Sequence, residues 1–229
     1  MKKILVIVDM QNDFIDGPLG TPEARAIVDN VCAKICEGEW DHIYYTLDTH
    51  FINTYSYTQE GKKLPVKHCI YSTPGWLLNT DVMLAIAPKE GYEKIEKGTF
   101  GSTSLIGAIG HLVEYCDEYV ESDIELTLVG VCTDICVISN ALLLKAHYPE
   151  IKIVVDASCC AGSTPEKHRM ALEVMKSCQI DIVNDYGAYD YIMIADVSEK
   201  LKRVNPITPT EVRTMLLNTH AEEKMVDGE

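Results

Sequence analysis

The sequence predicts an α/β fold of three layers, α/β/α, with a doubly wound and mostly parallel sheet. Three observations carry that prediction. Short runs rich in Val and Ile recur along the chain and end in polar residues, the pattern of strands buried on both faces of a parallel sheet. Between them lie segments whose apolar residues repeat at helical spacing. The two kinds of segment alternate, as βαβ units require. Composition agrees: of 229 residues, 47% are hydrophobic and 24% charged. That is enough apolar side chain for a real core in a single domain over 1–229.

The first strand is Lys3 to Asp9 and the second His42 to Asp48. Between them Ala24, Ile27, Val28, Val31 and Ile35 form one helical stripe. From Phe51 to Asp81 the chain is polar and broken by Gly and Pro. A loop of this length in a compact domain is usually functional, and here it reads as a metal or lid loop at about 49–81. Tyr92 to Lys97 is a weaker third strand, followed by a helix over Leu105 to Tyr115. Glu125 to Val131 is the fourth strand and runs into a helix over Ile135 to Ala146. Ile151 to Asp156 is the fifth. Ser163 to Glu166 reads as a capping box for a helix whose stripe is His168, Ala171, Leu172 and Met175. Ile180 to Asn184 completes the strands. Thr208 to Glu211 repeats the start signal with Pro209 as first helical residue, and the charged tail from Ala221 is expected to fray.

Lys plus Arg number 20 against 35 Asp plus Glu, a formal charge of −15. Such a surface repels phosphates and anionic lipid, so neither nucleic acid nor membrane is an expected partner. The first apolar run, Ile4 to Val8, is too short for a signal peptide or a membrane span. Nine cysteines occur without a CxxC pair, which argues against zinc-ribbon and thioredoxin-type sites. They lie mostly in apolar segments, as thiols do when used as small core residues in a reducing cytoplasm.

In open α/β sheets ligands bind beyond the carboxyl ends of the strands. Asp9 ends the first strand, Asp48 and His50 the second, Lys97 the third, and Cys136 follows the fourth. Cys136 falls in the first turn of a helix that Thr133 or Asp134 can cap, where the helix dipole should depress the thiol pKa. The other cysteines, Cys132 among them, read as packing. A thiol nucleophile needs a base, and Asp9 is the candidate. The competing reading is a strand-end carboxylate bonded to the N–H of Gln11 or Asn12. Lys97 would hold Asp9 ionised or stabilise developing charge; Lys94 competes, but lies inside the strand pattern. Asp48 and His50 share one side of an extended segment. With His68 they supply one carboxylate and two imidazoles, a set that leaves positions open on a divalent ion. Glu60 reads more readily as a surface glutamate than as a fourth ligand.

Together these residues resemble the isochorismatase-like cysteine hydrolases, and among them the nicotinamidases. The resemblance rests on Val8 to Phe14 with Asp16-Gly17, on Lys97 to Ser102, on Gly130 to Val137, and on Asp48, His50 and His68-Cys69. It implies a catalytic triad of Asp9, Lys97 and Cys136, and a cis peptide between Val131 and Cys132. It implies an oxyanion hole made by the backbone N–H groups of Cys132 and Cys136, and contact of Phe14 with the substrate ring. It implies a divalent metal on Asp48, His50 and His68, foremost zinc with iron or manganese as alternatives, that binds a pyridine nitrogen. The implied substrate is a small-molecule amide, with nicotinamide going to nicotinate and ammonia in NAD salvage, in a cytoplasmic homo-oligomer. Leu64 to Cys69 departs from the family's W-P-x-H-C by lacking the tryptophan and carrying one more residue. Trp76 is near but outside that motif, and reads as a loop anchor. Three other readings keep the same residues: hydrolysis of another small amide or carbamoyl compound, a non-catalytic metal- or small-ligand-binding protein, and a redox thiol pair of Cys132 and Cys136.

Overall fold

Strand β1 (Lys2–Val8) sits at the centre of a six-stranded sheet because nothing in Ile4 to Val8 is exposed to water. It pairs in parallel with β2 (His42–Asp48) on one side and β4 (Ile124–Val131) on the other. Outward from these lie β3 (Tyr92–Lys97), β5 (Lys152–Ala161) and β6 (Asp181–Val183), giving the order β3-β2-β1-β4-β5-β6 with every pairing parallel. The computed structural model describes residues 1–114 and 123–185. Tyr115, the Thr208 to Glu211 helix start with Pro209, and the tail from Ala221 lie outside the described residues.

Successive side chains on a strand point to opposite faces. Ile4, Val6 and Val8 join a core with Leu126, Leu128, Ile153 and Val155. Helices α6 (Thr103–Glu114), α7 (Ile138–His147) and α8 (Pro165–Ser177) close that core with Leu105, Ile109, Ala141, Leu144, Leu172 and Met175. Leu5 and Ile7 are as fully buried but lie outside that cluster, on the opposite face. A second helix group, α3 (Val28–Glu37) against α5 (Thr80–Ile86), completes the three layers. Each fully buried Val, Leu, Ile or Met among them contributes about 1.5–3 kcal/mol by leaving water.

The sheet grows one way from β1 to β2 and the other way from β1 to β4, so a crevice opens beyond the carboxyl ends of β1 and β4. Gly130 brings these ends together. It lies opposite Val8, has φ +119°, and any Cβ there would collide with the Val8 backbone. Only glycine fits both the dihedral and the approach.

Several boundaries differ from the sequence expectation. The single stripe from Ala24 to Ile35 is split into α2 (Pro22–Ala26), capped by Thr21, and α3, with Ile27 at the join. Short α1 (Asn12–Ile15) follows β1 directly. The long loop holds a 3-10 turn (Tyr55–Tyr57), α4 (Gln59–Lys63) and the start of α5, which Asn79 caps by accepting from the N–H groups of Asp81 and Val82. Strand β5 continues past Asp156 to Ala161 through an irregularity in its pairing with β4. The polar Asp156 is tolerated inside because Lys34, Ser158 and Asn184 satisfy its carboxylate. Helix α8 is capped by Thr164, which accepts from Lys167 N–H, not by Ser163. Ser163 is drawn away by Asp134.

Candidate active site

The structure brings Asp9, Lys97 and Cys136 together in the crevice. Lys97 Nζ lies 2.7 Å from Asp9 Oδ2 and 3.6 Å from Cys136 Sγ, with all three side chains buried. Lys97 also donates to the Thr99 carbonyl at 3.1 Å. The other Asp9 oxygen accepts from the Thr46 hydroxyl at 2.6 Å, and the same hydroxyl accepts from Asp9 N–H. The Asp9 side chain thus bonds across the sheet, not to Gln11 or Asn12. Its backbone is left-handed, φ +51°, a conformation Asp tolerates better than most residues and one that gathers at functional sites. Lys94 points elsewhere, pairing with Glu96 at 2.7 Å.

Cys136 does not lie in an α-helical first turn. Residues Thr133–Val137 form a π-helical turn that leads into α7, and neither Thr133 nor Asp134 caps it. Nor is the thiol acidified. Burial, then the Asp9 carboxylate, pushes the Cys136 pKa well above the usual thiol value, and Lys97 offsets only part of this. Burial likewise raises Asp9 against the pull of Lys97. For Lys97, burial opposes the charge but the surrounding Asp9, Cys136 and Asp48 outweigh it, so the ammonium is held. A thiol in this setting holds its proton more tightly than a free one, and the Asp9 carboxylate lies beside it.

Beside these three residues stands a second cluster. One ligand atom from each of Asp48, His50, Glu60 and His68 lies within 4.8 Å of every other. His50 Nε2 is 2.9 Å from Asp48 Oδ2 and 3.6 Å from Glu60 Oε1; His68 Nε2 is 3.4 and 3.3 Å from the same atoms. Thr58 caps α4 and sets Glu60 in its first turn, so the glutamate read as a surface residue faces the cluster. The donors fit a divalent cation. His68 Nδ1 is tied to the Val66 carbonyl at 2.9 Å, which leaves Nε2 for the centre. His50 Nε2 is buried and faces the same two carboxylate oxygens. The site also favours positive charge: burial disfavours imidazolium, yet the two carboxylates lift His50 to about 9 and His68 to about 10. Burial opposes the carboxylate charges as well, but the two imidazoles hold Glu60 down at about 2 and, with Lys97, hold Asp48 well below the carboxylate range. A divalent ion would supply that charge with both imidazoles neutral.

Residues 3–184 match the family model of the isochorismatase domain. The chain belongs to the isochorismatase domain family. It is 24% identical over 216 residues to the nicotinamidase of Saccharomyces cerevisiae, covering 80% of this chain and 99% of that protein. It is 26% identical over 196 residues to the nicotinamidase/pyrazinamidase of Mycobacterium tuberculosis, covering 79% and 98%. Among solved structures, the pyrazinamidase of Pyrococcus horikoshii in complex with zinc superposes with a TM-score of 0.62 at 26% identity, covering 80% of this chain and 99% of that one.

The isochorismatase-domain sheet ends also carry residues that their strand positions did not single out. Gln11, fully buried, accepts from Asp48 N–H at 2.7 Å and donates to the carbonyls of Asp48 and Trp76 at 2.9 and 2.8 Å, fixing the backbone of one cluster residue. Asp13 accepts from Cys69 N–H at 2.7 Å, beside His68. The signal for both was a dense polar run, Asp9 to Asp13, straight after a buried strand. The Phe14 ring lies 5.5 Å from that of His68. Trp76 is an anchor: its Nε1 donates to Thr49 Oγ1 at 2.9 Å and its ring meets Tyr71. The Val131–Cys132 peptide is cis, and the Cys132 carbonyl accepts from Ile135 and Val137 N–H, both at 3.0 Å. Among the described residues no helix is long and apolar enough to cross a membrane.

Proposed function

We propose that this protein is a cysteine-dependent amidohydrolase that converts nicotinamide and water to nicotinate and ammonia through a thioester. One observation carries the reading: a buried Asp9–Lys97–Cys136 group stands beside a four-donor cluster whose Asp48 is also 3.7 Å from Lys97 Nζ. Family membership and the amidase relatives support amide hydrolysis.

Asp9 takes the Cys136 proton and the thiolate attacks the carboxamide carbon. The N–H groups of Cys132 and Cys136 hold the oxyanion, at roughly 3 kcal/mol per donor. Asp9 returns the proton to the leaving ammonia, then takes a proton from the water that hydrolyses the thioester. Lys97 holds Asp9 in place and steadies its charge. Phe14 lies against the ring. Asp48, His50, Glu60 and His68 would hold a divalent ion, zinc by preference. When bound, that ion would orient the substrate by its ring nitrogen. Eight free cysteines among the described residues favour a reducing compartment such as the cytoplasm, and we place the protein there as a homo-oligomer.

Ammonia release from nicotinamide, measured with metal content determined, tests this. Wild-type protein should turn over and Cys136→Ala should not. Full metal with no turnover of nicotinamide, but activity on another carboxamide, would move the substrate and keep the reaction.

A further inference from the structure

Thr133 and Asp134 lie between the two residues whose N–H groups are assigned to the oxyanion, and their side chains have no part in the chemistry above. Both reach to the start of α8. Asp134 Oδ1 accepts from Ser163 N–H at 2.7 Å and Asp134 Oδ2 from the Ser163 hydroxyl at 2.6 Å. Thr133, fully buried, has its Oγ1 2.7 Å from His168 Nδ1. His168 is held in turn by α8, where its N–H donates to the Thr164 carbonyl at 2.9 Å. The connection from β5 to α8 is pressed so close that a Cβ on Gly162 would lie 2.8 Å from His168.

The turn itself needs such support. A π-helical turn is a rare, locally weak arrangement that gathers at functional sites. Here one carbonyl, that of Cys132, serves two N–H groups. The directions of the peptides at 132 to 136 therefore depend on what fastens the side chains between them. A misplacement of about 1 Å at reacting groups costs about 10²-fold in rate.

We infer that Asp134, Ser163, Thr133 and His168 form a clasp that aims the oxyanion donors of the Cys136 turn. They are positioning residues, and the inference rests on the amide-hydrolysis reading. The clasp acts on the donors, not on the thiol, which Asp9 and Lys97 address from the other strands.

That division gives the test. Iodoacetamide alkylates Cys136 when the thiolate sulfur displaces iodide, a step that forms no oxyanion. Three quantities are measured on wild-type protein, Asp134→Ala, Ser163→Ala and Asp134→Asn: kcat and KM for nicotinamide, the rate of Cys136 alkylation, and amide hydrogen exchange over 132–137. Asp134→Ala should lower kcat about 10²-fold with KM and alkylation changed by about twofold at most. Exchange over 132–137 should speed by about tenfold or more. Asp134→Asn keeps an acceptor for Ser163 N–H and offers a donor to its hydroxyl, so it should recover most of the lost rate. Equal losses of turnover and alkylation would overturn the inference, because they mean general loosening of the site. Unchanged exchange would also overturn it. If Asp134→Ala does not fold, Ser163→Ala, which keeps the backbone bond, carries the same comparison. If wild-type protein hydrolyses no nicotinamide, the functional reading fails separately, and the exchange data still decide the clasp.

Discussion

Replacing Lys97 by Met removes the ammonium while keeping the length of the side chain. In the fold, the Lys97 and Asp9 side chains are 1% and 0% exposed and 2.7 Å apart, with Asp48 Oδ1 a further contact at 3.7 Å. Breaking such a buried pair on one side costs about 3–5 kcal/mol, because the remaining carboxylate is stranded. For a chain of this size that is a fall in Tm of about 6–20 °C. Asp9 would keep the Thr46 hydroxyl and the Cys136 thiol but no cation, and burial already raises its pKa. It should then hold a proton at neutral pH and fail as a base, lowering kcat by about 10²–10⁴-fold. The assay is a double-mutant cycle with Asp9→Asn, read by calorimetric melting and by ammonia release. Because Asp9→Asn removes the carboxyl whose stranding or forced protonation costs the energy, the double variant should be less destabilised than the two single losses summed, by about 1–3 kcal/mol. Additivity within about 0.5 kcal/mol would refute the pairing as an energetic unit. A kcat for Lys97→Met within about tenfold of wild type would refute its part in the reaction.

Further outcomes follow from other parts of the site. Glu60→Ala removes one of four converging donors, and zinc affinity measured by competition with a chelator should fall by at least the roughly 10–100-fold typical of outer partners. With no ion bound, Asp48 and Glu60 outweigh burial and raise His50 to about 9 and His68 to about 10, so a metal binding below pH 8 should displace up to two protons. Affinity should therefore rise with pH, by about two log units per pH unit between about 6 and 8, and proton release in calorimetry with two buffers checks it. A flat profile would mean that the two imidazoles are already neutral in the metal-free protein. Gly130→Ala combines an unfavourable φ with a collision against Val8, and should cost about 2–6 kcal/mol as a lower urea midpoint at unchanged slope.

The strand ends were legible because a buried parallel strand must stop where the first polar group needs a partner. Asp9 and Asp48 each end an apolar run and Lys97 ends the weaker third strand, and the structure gathers them with His50 and Cys136 at the carboxyl edge of the sheet. Among the described residues the same patterns located all six strands and the longer helices, since burial on two faces and burial on one stripe leave different patterns in the residues themselves. Where polar residues found distant partners, the same logic misled. Asp156 looked like a strand end, yet Lys34 and Asn184 satisfy it and the strand runs on. Ser163 looked like a cap until Asp134 claimed it.

Sequence alone thus determined the α/β class, the succession of the strands and the residue types delivered to one edge, because those depend on local pattern and on the direction of the strands. Only the tertiary structure decided that α4 turns Glu60 inward, that Gln11 braces Asp48, and that burial pushes the Cys136 thiol pKa up. Each of these depends on burial and on charges brought near from remote parts of the chain, and no spacing between neighbouring residues records such distances.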